Sequence, residues 1–143
     1  MNTKLNVKQW ALASLAVFVI MTIFVFVPNK LGVEPWAWPV PEGQAAAGPD
    51  AMTGRIALYL SRLIAAGLFT FIFTKAVTDK PGMGHGLRYG FGMGLLMFVP
   101  NFVSGLVYTD LSTTAQATFM VVGVIQSVVC GAAMAQLYKP SKA

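Results

Sequence analysis

Apolar residues fall in four long runs, 7–27, 55–77, 84–108 and 114–138, with the polar residues and most prolines gathered between them. Each run has about the length that crosses a hydrocarbon core of ~30 Å at ~1.5 Å per helical residue. Two of the connections are short: Thr78-Asp79-Lys80-Pro81-Gly82 is rich in turn formers, and Thr109-Asp110-Leu111-Ser112-Thr113 offers Ser112 or Thr113 as a cap for the helix that follows. Short connections force sequence neighbours to run antiparallel. The pattern therefore predicts an all-α membrane protein, a four-transmembrane-helix bundle of up-down-up-down topology, forming one integral membrane domain over 1–143 with no soluble module.

Composition gives the same class. Hydrophobic residues make up 56% of the chain and charged residues 10%, against ~25% charged in a typical soluble domain, so the polar surface that would coat a water-soluble globule is missing. The net charge of +5 is scattered at the ends of the apolar runs instead of forming a stripe, so nucleic acid is not an expected partner and the lipid bilayer is. Lys4, Lys8, Lys75, Lys80, Arg88, Lys139 and Lys142 fall on one side of the four runs, whereas the other side receives Lys30 and Arg55. Retention of basic residues on the cytoplasmic face then places both termini inside, with 28–54 and 109–113 outside and 78–83 inside. The first run is longer than a secretory signal core, and Ala45-Ala46-Ala47 is too far downstream to be its cleavage site, so an uncleaved first span is expected.

The outer loop 28–54 is the only connection with room for more than a turn. Pro28, Pro35, Pro39, Pro41 and Pro49 exclude a continuous helix across it, while Trp36 and Trp38 suit the headgroup level. Those tryptophans read either as an interfacial belt or as a rigid aromatic contact for a partner subunit or lipophilic ligand.

Gly82, Gly86, Gly90 and Gly94 recur every fourth residue in the third run, and Gly123, Ser127, Gly131 and Ala135 do the same in the fourth. On a helix this spacing makes a groove free of bulky side chains, where two backbones gain contact that lipid does not supply. The third and fourth helices are expected to pack tightly, within the chain or between copies. Pro100 removes a backbone donor from the third run, predicting a kink with Asn101 satisfying the freed groups. The tetrapeptide Phe-Val-Pro-Asn occurs at 26–29 and again at 98–101, on helices that would run parallel if two hairpins had arisen by duplication.

Three polar residues fall at membrane depth: Arg62, Asn101 and Gln126. A guanidinium in hydrocarbon costs at least a few kcal/mol unless it snorkels or finds acceptors. Taking Arg55 as the boundary puts Arg62 roughly 10 Å below it, with Asn101 at a similar depth counted from Tyr108. No acid lies inside any run, so loop carboxylates, carbonyls near Pro100, a lipid phosphate, an anionic ligand or another subunit would have to neutralise Arg62. Gln126, flanked ten residues either way by Gln116 and Gln136, is a candidate for an interhelical hydrogen bond. His85 is the only histidine and Cys130 the only cysteine, which excludes a bis-histidine haem, a histidine-rich metal site and a dithiol within one chain. His85 stands among glycines beside Arg88, but Gly82-Met83-Gly84-His85-Gly86 lacks the ending of a phosphate loop. Met93 and Met97, one turn apart, are too few ligands for copper. No cofactor, metal or catalytic centre is expected.

The stretch Phe73–Tyr138, with Gly86-Leu87-Arg88-Tyr89-Gly90, an apolar run, a short loop and a glycine-spaced last helix ending Leu137-Tyr138-Lys139, resembles small uncharacterised bacterial four-span inner-membrane proteins. The resemblance covers about half of the chain and implies a multi-pass protein of the bacterial inner membrane, without lending a catalytic role. Fluoride channels are similar in size, but their asparagine and phenylalanine pore pattern is not matched. The embedded glutamate of small multidrug exporters and the paired cysteines of quinone-reducing thiol enzymes are missing here. Three functional classes remain: a non-catalytic accessory or assembly subunit of a larger membrane complex, in contact with partner subunits or copies of itself; a small oligomeric transporter or channel lined by Arg62, Asn101 and Gln126; and a membrane enzyme or protein binding lipid or another lipophilic ligand. The first is the leading expectation. Reporter domains fused to the amino and carboxyl ends should both report the cytoplasmic side, and one inserted in 28–54 the opposite side; ends on different faces would refute this topology.

Overall fold

The computed structural model describes residues 6–30, 49–76, 82–108 and 112–138. Every described element is an α-helix: α1 (Val7–Lys30), α2 (Pro49–Ala76), α3 (Met83–Tyr108) and α4 (Thr113–Leu137). All four are long and apolar enough to cross a membrane. Large apolar side chains lie exposed on each of them, which in water would be untenable and in lipid is the expected exterior. The chain is thus a helical bundle with the make-up of a multi-pass membrane protein.

Local chemistry fixes where the helices start. Asn6 Oδ1 accepts from Gln9 N at 3.3 Å ahead of α1, and Ser112 Oγ accepts from Ala115 N at 3.2 Å ahead of α4, each satisfying one of the orphan donors of a first turn. The Gly82 carbonyl takes the His85 and Gly86 N–H groups at the start of α3. Two boundaries differ from the sequence reading, which began the outer loop at 28 and the second helix at 55. α1 continues through Pro28 to Lys30, because a proline in the last turn forfeits only one hydrogen bond. α2 begins at Pro49, where the missing N–H of a first-turn proline costs nothing. Pro100 lies inside α3, which runs on as a helix to Tyr108.

α3 and α4 pack antiparallel along almost their whole length. A Cβ on Gly86 would run into the Gly131 carbonyl and the Ala135 methyl, one on Gly90 into the Ser127 carbonyl, and one on Gly94 would stand 3.0 Å from Val124 Cα. Further along, Phe98 fills the space over Gly123, and the Gln116 side chain covers Gly105. The approach is reciprocal at one point: the Gly131 substituent position meets the Gly86 carbonyl. Gly86 and Gly131 thus direct a Cα hydrogen at each other's carbonyl, a weak hydrogen bond worth roughly 0.5–1 kcal/mol in such interfaces.

α1 packs against α2 and α4. The Trp10 ring lies on Gly67, Cζ2 standing 3.6 Å from where a Cβ would be, and its Nε1 donates to the Gly67 carbonyl at 3.3 Å. α2 and α3 meet through aromatic side chains. Tyr89 stacks edge-on against Phe69 and Phe73 with centroids 5.2 and 5.1 Å apart, and its hydroxyl donates to the Phe69 carbonyl at 2.6 Å. The core of Val17, Met21, Ala66, Phe69, Phe73, Cys130, Met134, Ala135 and Tyr138 therefore lies toward the end of the bundle that carries the N-terminus. At the far end, the buried residues described belong to α3 and α4 alone.

Gly92 also lies on α3, yet a Cβ there would meet nothing within 4 Å. Gly90→Leu should therefore lower stability by at least about 1–3 kcal/mol through overpacking, whereas Gly92→Ala should leave it unchanged or raise it by up to about 1 kcal/mol. Equilibrium unfolding in mixed detergent measures both, and equal effects would contradict the close α3–α4 approach.

Candidate functional site

The hydroxyls of the interior mostly return to their own helix. Thr70 Oγ1 donates to the Ala66 carbonyl at 2.8 Å, Thr74 Oγ1 to Phe71 at 2.7 Å and Ser127 Oγ to Gly123 at 3.0 Å. This local pairing satisfies a hydroxyl where lipid offers no acceptor. The buried Ser14 hydroxyl is the exception, with no partner among the described residues. Ser127 thus has two roles, a small side chain at the α3 contact and a donor to the turn before it.

The small residues named from spacing do not all share one contact. Gly86, Gly90 and Gly94 face Gly131, Ala135, Ser127 and Val124, and Gly123 receives Phe98. Gly82 precedes α3 and meets nothing within 4 Å. Gly105 and Gln116 extend the contact beyond the four-residue repeat, a pairing the spacing did not reveal because Gly105 lies eleven positions past Gly94, off that repeat.

Arg62, Asn101 and Gln126 are not joined: no hydrogen bond links any two of them among the described residues. Asn101 is exposed, and its Nδ2 donates to the Met97 carbonyl at 2.9 Å. That carbonyl belongs to the position after the one Pro100 deprives, so the amide does not repair the proline's missing bond to Leu96. Gln126 is half-buried and makes no hydrogen bond among the described residues. Arg62 is half-buried, its guanidinium carbon 5.9 Å from the centroid of the Tyr59 ring one turn earlier. Ile56, Ala57 and Leu58 continue the apolar part of α2 back to Arg55. Arg62 stands seven residues, roughly 10 Å of helix, from Arg55.

His85 is exposed and sets its ring edge-on to Phe73 at 6.4 Å. Cys130 is buried in the core, Met93 packs against that core, and Met97 is exposed. No group of three histidine, cysteine or acidic residues that could hold a metal occurs among the described residues. Trp36 and Trp38 lie outside the described residues.

Sequence reasoning missed the aromatic cluster of Phe69, Phe73, Tyr89 and Tyr138. Its one visible signal was the four-residue spacing of Phe69 and Phe73 on a helix. Phe73 is its centre, in edge contact with His85, Tyr89 and Tyr138. No family model matches this chain, and neither a curated protein nor a solved structure matches it.

Tyr89 is the one side chain whose hydroxyl ties α3 to α2 among the hydrogen bonds described. Tyr89→Phe keeps the ring contacts and should cost about 0.5–1.5 kcal/mol. An unfolding free energy equal to wild type would show that this bond does not stabilise the α2–α3 seam.

Proposed function

We propose that this chain is a non-catalytic accessory or assembly subunit of a larger complex in the bacterial inner membrane. The observation that carries the reading is Gln126. It is the fourteenth of the 25 residues of α4, half-exposed at the middle of the span, with both amide functions unpaired among the described residues. An amide left unpaired in an apolar medium costs several kcal/mol, and an amide across a helix interface removes that cost. The residues around it have the spacing of a helix-packing seam: Val122, Gln126, Val129, Ala133 and Gln136 follow at alternating steps of four and three, each half-buried or exposed. A transmembrane helix of a partner would bury this stripe and pair the glutamine.

The described interior supports the non-catalytic part of the reading. Thr70, Thr74 and Ser127 turn their hydroxyls back on their own helices, the aromatics pack on one another, and the cysteine is sealed in the core. What the geometry offers to the outside is a set of helix faces.

Extraction of native membranes in a mild detergent should yield the chain in a stable complex with a larger membrane protein. Gln126→Leu should reduce that recovery by about five- to thirtyfold while the bundle stays folded. Recovery of wild type as the free chain, or equal recovery of the variant, would refute the assignment.

A further inference from the structure

We propose that the far end of the seam between α2 and α3, away from the N-terminus, holds a phospholipid with its phosphate on the Arg62 guanidinium. The position of Arg62 on α2 comes first. Ala66, Phe69 and Phe73 are buried and form the stripe by which α2 faces the bundle. Stepping back along that stripe by four and then three residues leads to Arg62 and Tyr59. Arg62 thus occupies an inward-facing position, yet it is only half-buried and Tyr59 is 44% exposed. The stripe is covered from Phe73 to Ala66 and opens at Arg62 and Tyr59.

The level on α3 follows from the antiparallel register. Tyr89 bonds the Phe69 carbonyl, and seven residues back on α2 and seven on along α3 lead to Arg62 and Leu96. Leu96 is 68% exposed, so the seam is not filled by side-chain packing at that depth. Pro100 has no N–H to give the Leu96 carbonyl, and the Asn101 amide goes to Met97 instead. Arg62 therefore stands level with an open stretch of the α2–α3 seam.

Charge and depth select the occupant. The only acid within the described residues is Asp50, twelve positions earlier on α2 and so ~18 Å away along the axis. Arg62 lies roughly 10 Å of helix inside Arg55, and a side chain of its length snorkels toward the headgroup level. There it meets lipid phosphate, which a guanidinium binds through paired N–H groups. The Tyr59 ring at 5.9 Å restrains the cation. Exposed Leu96, Val99 and Val103 on the α3 side, with the Tyr59 ring on α2, supply an apolar surface that a free phosphate ion would not use and acyl chains would.

Titration of the purified full chain in neutral detergent by native mass spectrometry tests the site, using dioctanoyl phosphatidylglycerol, dioctanoylglycerol and inorganic phosphate as separate probes. The phospholipid should bind, the diacylglycerol should bind at least about fivefold more weakly, and inorganic phosphate at the same concentration should not displace the lipid. Arg62→Gln should weaken phospholipid binding by about fivefold or more. Leu96→Trp, at an exposed position where folding is undisturbed, should obstruct the seam and weaken it too. Gln126→Leu should bind the lipid as wild type does, which separates this site from the proposed subunit contact. Equal binding of diacylglycerol, displacement by inorganic phosphate, or unaltered binding by either Arg62→Gln or Leu96→Trp would overturn the proposal.

Discussion

The constraint on which the rest of the bundle depends is the closeness of two backbones. At Gly86 and Gly90 the α4 carbonyls of Gly131 and Ser127 stand where any side chain would begin. Lipid tails are as apolar as the side chains they would replace, so helix association in a membrane needs contact that lipid does not match, and backbone-to-backbone approach provides it. Two helices joined this way form a rigid antiparallel pair. One flank of α4 then packs against α1, with Cys130 and Met134 in the shared core, while α3 turns Tyr89 toward α2.

The rest of the structure uses the opposite device. Where α3 and α4 exclude side chains, α2 and α3 are held apart by the largest ones, with Phe69, Phe73 and Tyr89 filling the gap and one hydroxyl-to-carbonyl bond fixing their register. This filling is confined to the end of the bundle near the N-terminus. The same stripe of α2 that presents phenylalanine there presents Arg62 and Tyr59 at the other end, where the described neighbours leave both partly open. One end of the molecule is thus tied by aromatic packing, and the other carries its intramembrane cation.

Two forms of polar pairing also divide along these lines. Buried Thr70, Thr74 and Ser127 bond backward to their own helices and ask nothing of a partner. Trp10 reaches across to the Gly67 carbonyl and so ties α1 to α2. Gln126 does neither among the described residues, and its amide lies half-exposed near the middle of α4.

The four spans were legible in the sequence because length and apolarity depend on nothing outside each run. The four-residue rhythm of small residues was legible too, since a helix converts that spacing directly into a face. Helix ends were less so: Pro28 and Pro49 read as breakers, but a last-turn and a first-turn proline are both tolerated, and α1 and α2 include them. Which small residues meet what was decided by tertiary structure alone. Gly82, Gly86 and Gly92 are the same residue type, yet only Gly86 faces a backbone, because contact depends on where the partner helix passes. The aromatic seam around Phe73 belongs to that second group, being a property of a pair of helices that no single stretch of chain encodes.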